Sequence, residues 1–101
     1  MESQNFAQEL INLGSRIKQL RKHRKLLLLD LELLSGVNDS DISRYERGKE
    51  NIEFHTIFKL ASALQVATKD LFDYNGPLPD NTTFRKVPKS KKKNDYYHLN
   101  L

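Results

Sequence analysis

Residues 30–51, DLELLSGVNDSDISRYERGKEN, constrain the fold more than any other stretch of the chain. Leu31 and Leu34 lie three apart and share one face of a helix. Ser35 and Gly36 interrupt that helix, because glycine tolerates the positive φ that a sharp turn needs. Asn38 follows as an N-cap, and Asp41 three residues later makes a capping-box pattern with Asp in place of Glu. Ile42 and Tyr45 give a second helix its apolar stripe, and Gly48 stops it. Two short helices about a tight turn are expected.

Such a pair is a helix-turn-helix, whose second helix can enter the major groove of DNA. Gly36-Val37, the run Ile42-Ser43-Arg44-Tyr45-Glu46-Arg47-Gly48 and Asn51 carry a resemblance, together with Leu13-Gly14, Arg16-Ile17 and Leu20-Arg21 upstream. They resemble the phage repressor/Cro family, the XRE type of helix-turn-helix regulator, over residues 13–72. The resemblance implies an all-α, five-helix bundle with a helix-turn-helix, followed here by a basic C-terminal tail. It also implies that Arg21 pairs with Glu46 and ties the first helix to the third.

In the family, the positions matching Asp39, Ser40 and Arg44 touch bases, and Ser43 is an adjacent candidate. Arg44 is the strongest of them, since its fork can donate two bonds to guanine O6 and N7. Asp39 could accept from cytosine N4, although stabilisation of the helix N-terminus explains it equally well. Arg47, Lys49 and Asn51 suit the DNA backbone better than bases. At Leu27 and Leu28 the family usually has Ser or Thr and then Gln, which cap the second helix and touch a phosphate. Leucine can do neither, which implies either weaker binding or a patch that meets a partner chain.

Upstream, Phe6, Leu10, Leu13, Ile17 and Leu20 step by four and three, the mark of an amphipathic helix that Ser3 or Asn5 could cap. Gly14 interrupts it at about 1 kcal/mol relative to Ala, so a bend or a break is expected there. Residues 6–12 extend beyond the family pattern and either lengthen the helix over the core or make a dimer contact. Residues 16–25 carry six positive charges and no acid. Such a run is a solvated face or a phosphate-binding one, and Arg16 is taken as a backbone contact.

Seven leucines fall within the nine residues 26–34, more than one helical face can hide; Leu26, Leu31 and Leu34 are expected in the core. Phe54, Ile57, Phe58, Ala61 and Leu64 mark a fourth helix, with His55 on its exposed side. Thr68 caps a fifth, whose Leu71 and Phe72 turn inward. Gly76, Pro77 and Pro79 then end the helical body. The expected division is a helix-turn-helix domain over 1–75 and a basic, flexible tail over 76–101.

Net charge follows that division. Residues 1–75 hold 11 Lys and Arg against 11 Asp and Glu, whereas residues 76–101 hold 6 against 2 and supply the whole +4. Residues 85–93, RKVPKSKKK, contain no acid. They read as a solvated tail or as an arm reaching DNA backbone, and Tyr96, Tyr97 and Leu99 could pair as a strand across a dimer.

At 101 residues the chain buries roughly 60–65% of its unfolded surface, enough for one core. It has no Cys, and its three His show no metal-ligand spacing. No nucleophile pattern or phosphate-cradling Gly loop appears, and Asp39 and Asp41 are better caps than an acid–base pair. Neither enzyme activity, cofactor nor catalytic or metal site is expected. A cytoplasmic protein without membrane contact is expected, because neither a signal-like start nor an apolar run of membrane length is present. The leading reading is a homodimeric, sequence-specific regulator of double-stranded DNA at a pseudo-palindromic operator. The other is a protein-interaction module, such as an antitoxin, with a protein partner.

Overall fold

The structure, a computed structural model, describes residues 5–85. Five helices follow in order: α1 Phe6–His23, α2 Leu28–Ser35, α3 Asp39–Glu46, α4 Phe54–Leu64 and α5 Thr68–Phe72. α1 packs on α3, α4 and α5, and α2 packs on α3 and α4. Between them lies one core whose fully buried members are Ile17, Leu20, Leu31, Ile42, Leu60, Leu64 and Leu71. This is the expected all-α bundle.

Asn5 caps α1, accepting from the Gln8 amide at 3.1 Å. The helix runs through Gly14 without a break. A Cβ at that position would lie 2.1 Å from the Tyr45 carbonyl oxygen and 2.9 Å from that of Glu46. Glycine is there because α1 rides on the backbone at the end of α3.

α1 closes on a Schellman turn: the Leu26 amide donates to the Arg21 carbonyl at 3.0 Å and the Lys25 amide to that of Lys22 at 2.9 Å. Lys25 occupies the left-handed position at φ 61°, where glycine is usual. Leu27 offers no side-chain cap to α2; instead the Asp30 carboxylate reaches back and accepts from the Leu27 amide at 2.7 Å. Of the leucine run, Leu26 and Leu31 are buried, Leu28 and Leu34 pack on the core, and Leu27 stands 56% exposed.

The fourth and fifth helices are rotated from their expected faces. Ile57, Leu60, Ala61, Ala63 and Leu64 form the buried stripe of α4, which leaves Phe54 and Phe58 67% and 54% exposed. On α5 Leu71 is buried but Phe72 is exposed. The cap residue of α5 is Ala67 rather than Thr68, and Asp70 accepts from its amide at 2.9 Å.

Beyond α5 the chain turns back onto the bundle. Residues 76–84 lie as a strap against α1, held by Arg16 and His23 of that helix and by Arg24 just past its end. Arg16 donates from Nε to the Asp70 carbonyl at 3.0 Å and from Nη2 to the Pro77 carbonyl at 3.2 Å. His23 Nε2 bonds the Pro79 carbonyl oxygen at 2.6 Å. Arg24 joins α4 to the strap: its Nε donates to the Leu64 carbonyl at 2.9 Å and its Nη1 to Asn81 Oδ1 at 2.8 Å. The same guanidinium lies 4.3 Å from the Phe84 ring centroid. Residues 86–101, with the proposed strand at Tyr96, Tyr97 and Leu99, lie outside the described residues.

Candidate nucleic-acid interface

The orientation of α3 is fixed at both ends and from beneath. Asn38 caps it by accepting from the Ser40 amide at 2.9 Å, and Glu32 of α2 accepts from the Asp39 amide at 2.8 Å. Ile42 is buried, and Tyr45 packs on the core half-covered, its hydroxyl pushed up by burial and by the neighbouring Asp41 carboxylate. The Gly48 amide closes on the Tyr45 carbonyl at 3.0 Å with φ 69°, so the chain leaves α3 in a left-handed turn.

From beneath, Arg21 grips Glu46 through two parallel bonds, Nε to Oε2 at 2.7 Å and Nη2 to Oε1 at 3.0 Å. Its third nitrogen, Nη1, donates to the Leu26 carbonyl at 2.8 Å. The two side chains are 9% and 5% exposed. The pair implied by the family resemblance therefore exists, and it also fixes the start of the α1–α2 connection.

With Ile42 and Tyr45 inward, the polar positions of α3 face out. Ser40 and Arg47 are exposed, and Asp39, Ser43 and Arg44 are half-buried. Arg47 Nη1 donates to Ser43 Oγ at 2.9 Å. Arg44 pairs with Asp41 one turn before it and, through Nε at 3.0 Å, with Glu50 beyond the helix. Asp41, expected to close a capping box, turns to Arg44 instead. Lys49 and Asn51 are exposed just past the helix.

Arg16 is a correction. Taken as a backbone contact, it is 3% exposed and directs its guanidinium at carbonyl groups of α5 and the strap. The basic run 16–25 splits in this way: Arg16, Arg21 and Arg24 go inside, and Lys18, Lys22 and Lys25 stay on the surface. Burial lowers the Arg24 pKa, an effect that Asp80 nearby opposes. What sequence reading missed was the set of carbonyl acceptors, which no residue type announces, and Glu50 as the partner of Arg44.

Among the described residues no cluster of His, Cys, Asp or Glu could hold a metal ion, and no helix is long and apolar enough to cross a membrane. Two solved structures are similar. The restriction-modification controller protein C.AhdI from Aeromonas hydrophila is 35% identical with a TM-score of 0.63, over 64% of this chain and 98% of that one. An HTH_3 family transcriptional regulator from Vibrio cholerae is 28% identical with a TM-score of 0.65, over 68% of this chain and 39% of that one. The uncharacterized HTH-type transcriptional regulator RghRB of Bacillus subtilis (strain 168) is 37% identical over 59 residues, 57% of this chain and 42% of that protein. The chain thus spans less than half the length of its Bacillus relative. The profile of the helix-turn-helix family HTH_3 matches residues 17–71, from the second half of α1 through α2, the braced α3 and α4 into α5, and the chain belongs to this XRE-type family of DNA-binding transcriptional regulators.

Proposed function

We propose that the protein binds a pseudo-palindromic operator as a homodimer and regulates transcription there, in the cytoplasm. The observation that carries this reading is the bracing of α3 by the Arg21–Glu46 fork and the Asn38 cap, with Asp39, Ser40, Ser43 and Arg44 turned outward. A reading helix needs that rigidity, because base contacts discriminate only when the side chain arrives in register. Arg47, Lys49 and Asn51 are the backbone contacts. The exposed Phe54 and Phe58, one turn apart on α4, supply apolar surface for the second copy. The similarity to C.AhdI, a restriction-modification controller protein, supports a regulatory role.

Selection of bound duplexes from a random pool tests the reading. The expected product is a two-fold site with half-sites one helical turn, about 34–36 Å, apart. One observation favours the second reading, a protein-interaction module: Leu27 is exposed where the family pattern has a polar residue. Recovery of no enriched palindrome would support that module instead.

A further inference from the structure

Beneath α3 the Arg21 fork neutralises Glu46, which leaves Asp39, Asp41 and Glu50 against Arg44, Arg47 and Lys49 along residues 39–51. Acids and bases balance there. Affinity for duplex DNA comes largely from cations that displace counterions from phosphates, so this stretch as a whole adds little of it. Arg44 is the cation most closely held. Two carboxylates from different segments converge on its guanidinium. Asp41, one turn earlier in α3, pairs with Nη2, and Glu50, beyond the helix, accepts from Nε at 3.0 Å.

The turn that ends α3 brings Glu50 to this position. Gly48 takes φ 69°, and the Lys49 amide donates back to the Arg44 carbonyl at 3.0 Å. The chain therefore doubles back across the last turn of the helix, and the next residue, Glu50, comes level with the Arg44 side chain. The side chains of Arg44, Asp41 and Glu50 are 40%, 40% and 44% exposed, so each ion pair is weak enough to be exchanged for a better acceptor. Both carboxylates stay beside the guanidinium after such an exchange, because the braced helix and its closing turn fix their backbone. A phosphate approaching Arg44 is repelled by those two anions. A guanine edge presents O6 and N7, acceptors on an uncharged base, and meets no such repulsion.

We propose that Asp41 and Glu50 are specificity-determining residues: their carboxylates withhold Arg44 from phosphates and release it to the uncharged edge of guanine. The proposal rests on the DNA-binding reading above and adds how α3 rejects unrelated DNA. Where no guanine stands in register, Arg44 has only backbone to take, so its ion pairs persist and it releases no counterion. At the operator the fork gains two bonds to one base, and the exchange goes forward. Asp41 and Glu50 act through Arg44 and need touch no base themselves.

The test compares the native full-length chain, Glu50→Gln, Arg44→Ala and the combination of the two. Each is titrated with a selected site and with a scrambled duplex of equal length, from about 50 to 200 mM salt. Glu50→Gln is expected to bind the scrambled duplex more tightly, by roughly eightfold at about 0.1 M salt for one phosphate gained by Arg44, and to steepen the plot of log K against log salt by about 0.9. Its affinity for the selected site is expected to change less, so discrimination falls. In the Arg44→Ala background the same substitution is expected to leave the slope unchanged. An equal gain in that background shows that Glu50 acts through its own charge and overturns the proposal, as does an unchanged slope in Glu50→Gln alone. Hydrogen exchange at Arg44 Nε, followed by NMR in the free proteins, is expected to be faster in Glu50→Gln than in the native chain; equal rates overturn the pairing itself. That readout needs no DNA and so separates the two failures. If exchange is faster in the variant but no protein shows salt-dependent binding to either duplex, the DNA-binding reading falls and takes the proposal with it, while the ion pair stands.

Discussion

Arg21 and Arg44 are both paired with carboxylates, yet burial gives the two pairs opposite meanings. Arg21 and Glu46 are nearly inaccessible and joined by a bidentate fork. Truncating either one strands the other charge, at about 3–5 kcal/mol, whereas truncating both removes the problem. A double-mutant cycle of Arg21→Ala and Glu46→Ala, followed by urea unfolding, is expected to show the double variant losing well under the sum of the two single losses. Strict additivity would mean that the pair does not act as a unit. Arg44 instead sits half-exposed with Asp41 and Glu50, where an ion pair contributes about 0–1 kcal/mol. A bidentate contact to guanine discriminates by about 1–3 kcal/mol, so exchanging its carboxylates for a base is favourable. Arg44→Ala, assayed against single-base changes in the half-site, is expected to abolish preference at one guanine. Uniform weakening across all bases would reduce Arg44 to a phosphate contact.

At the scale of elements, the decisive contact is α1 crossing the end of α3 at Gly14. Ala there gains about 1 kcal/mol of helix propensity. Its methyl would overlap the Tyr45 and Glu46 carbonyl oxygens, which are backbone atoms that cannot move aside without shifting α3. Overpacking of this kind costs about 1–3 kcal/mol, so Gly14→Ala is expected to lower the urea midpoint and to weaken DNA binding along with it. A rise in the midpoint would show that α1 and α3 do not approach so closely. The helix-turn-helix was legible in advance because its signals are local: Asn38 at a cap, and Gly36 and Gly48 at positive φ. The stops at Lys25 and Gln65 use the same left-handed geometry without glycine, so nothing in their residue types marks them. The strap was illegible for a related reason. Arg16 and Arg24 hold it through main-chain carbonyls, which every residue possesses, so a buried arginine and a solvated one look alike in the sequence. The helical spacing of Phe54 and Phe58 predicts a buried face for both, but spacing fixes a stripe's period and not where its centre falls.

For the whole molecule, a long-range closure joins the start of α1 to the chain just beyond α5. The Tyr74 hydroxyl donates to Glu9 Oε1 at 2.8 Å, across 65 residues of sequence. Burial first, and then the hydrogen bond and charge of Glu9, push the Tyr74 pKa up to about 12. In the unfolded chain a tyrosine titrates near pH 10. Below that pH both states hold the proton and the contribution of Tyr74 to stability is complete. Between pH 10 and 12 the unfolded state ionises first, which draws the equilibrium away from the fold, so the contribution is lost as pH rises through that window. A Tyr74→Phe comparison isolates this residue, because every other group is common to the two proteins. The phenylalanine variant is expected to be less stable at neutral pH by about 1 kcal/mol, the worth of one hydrogen bond. It is also expected to lose stability less steeply above pH 10, so that the two curves converge before pH 12. Parallel curves from pH 9 to 12 would show that Tyr74 ionises alike in both states, and that the bond to Glu9 does not close the bundle in solution.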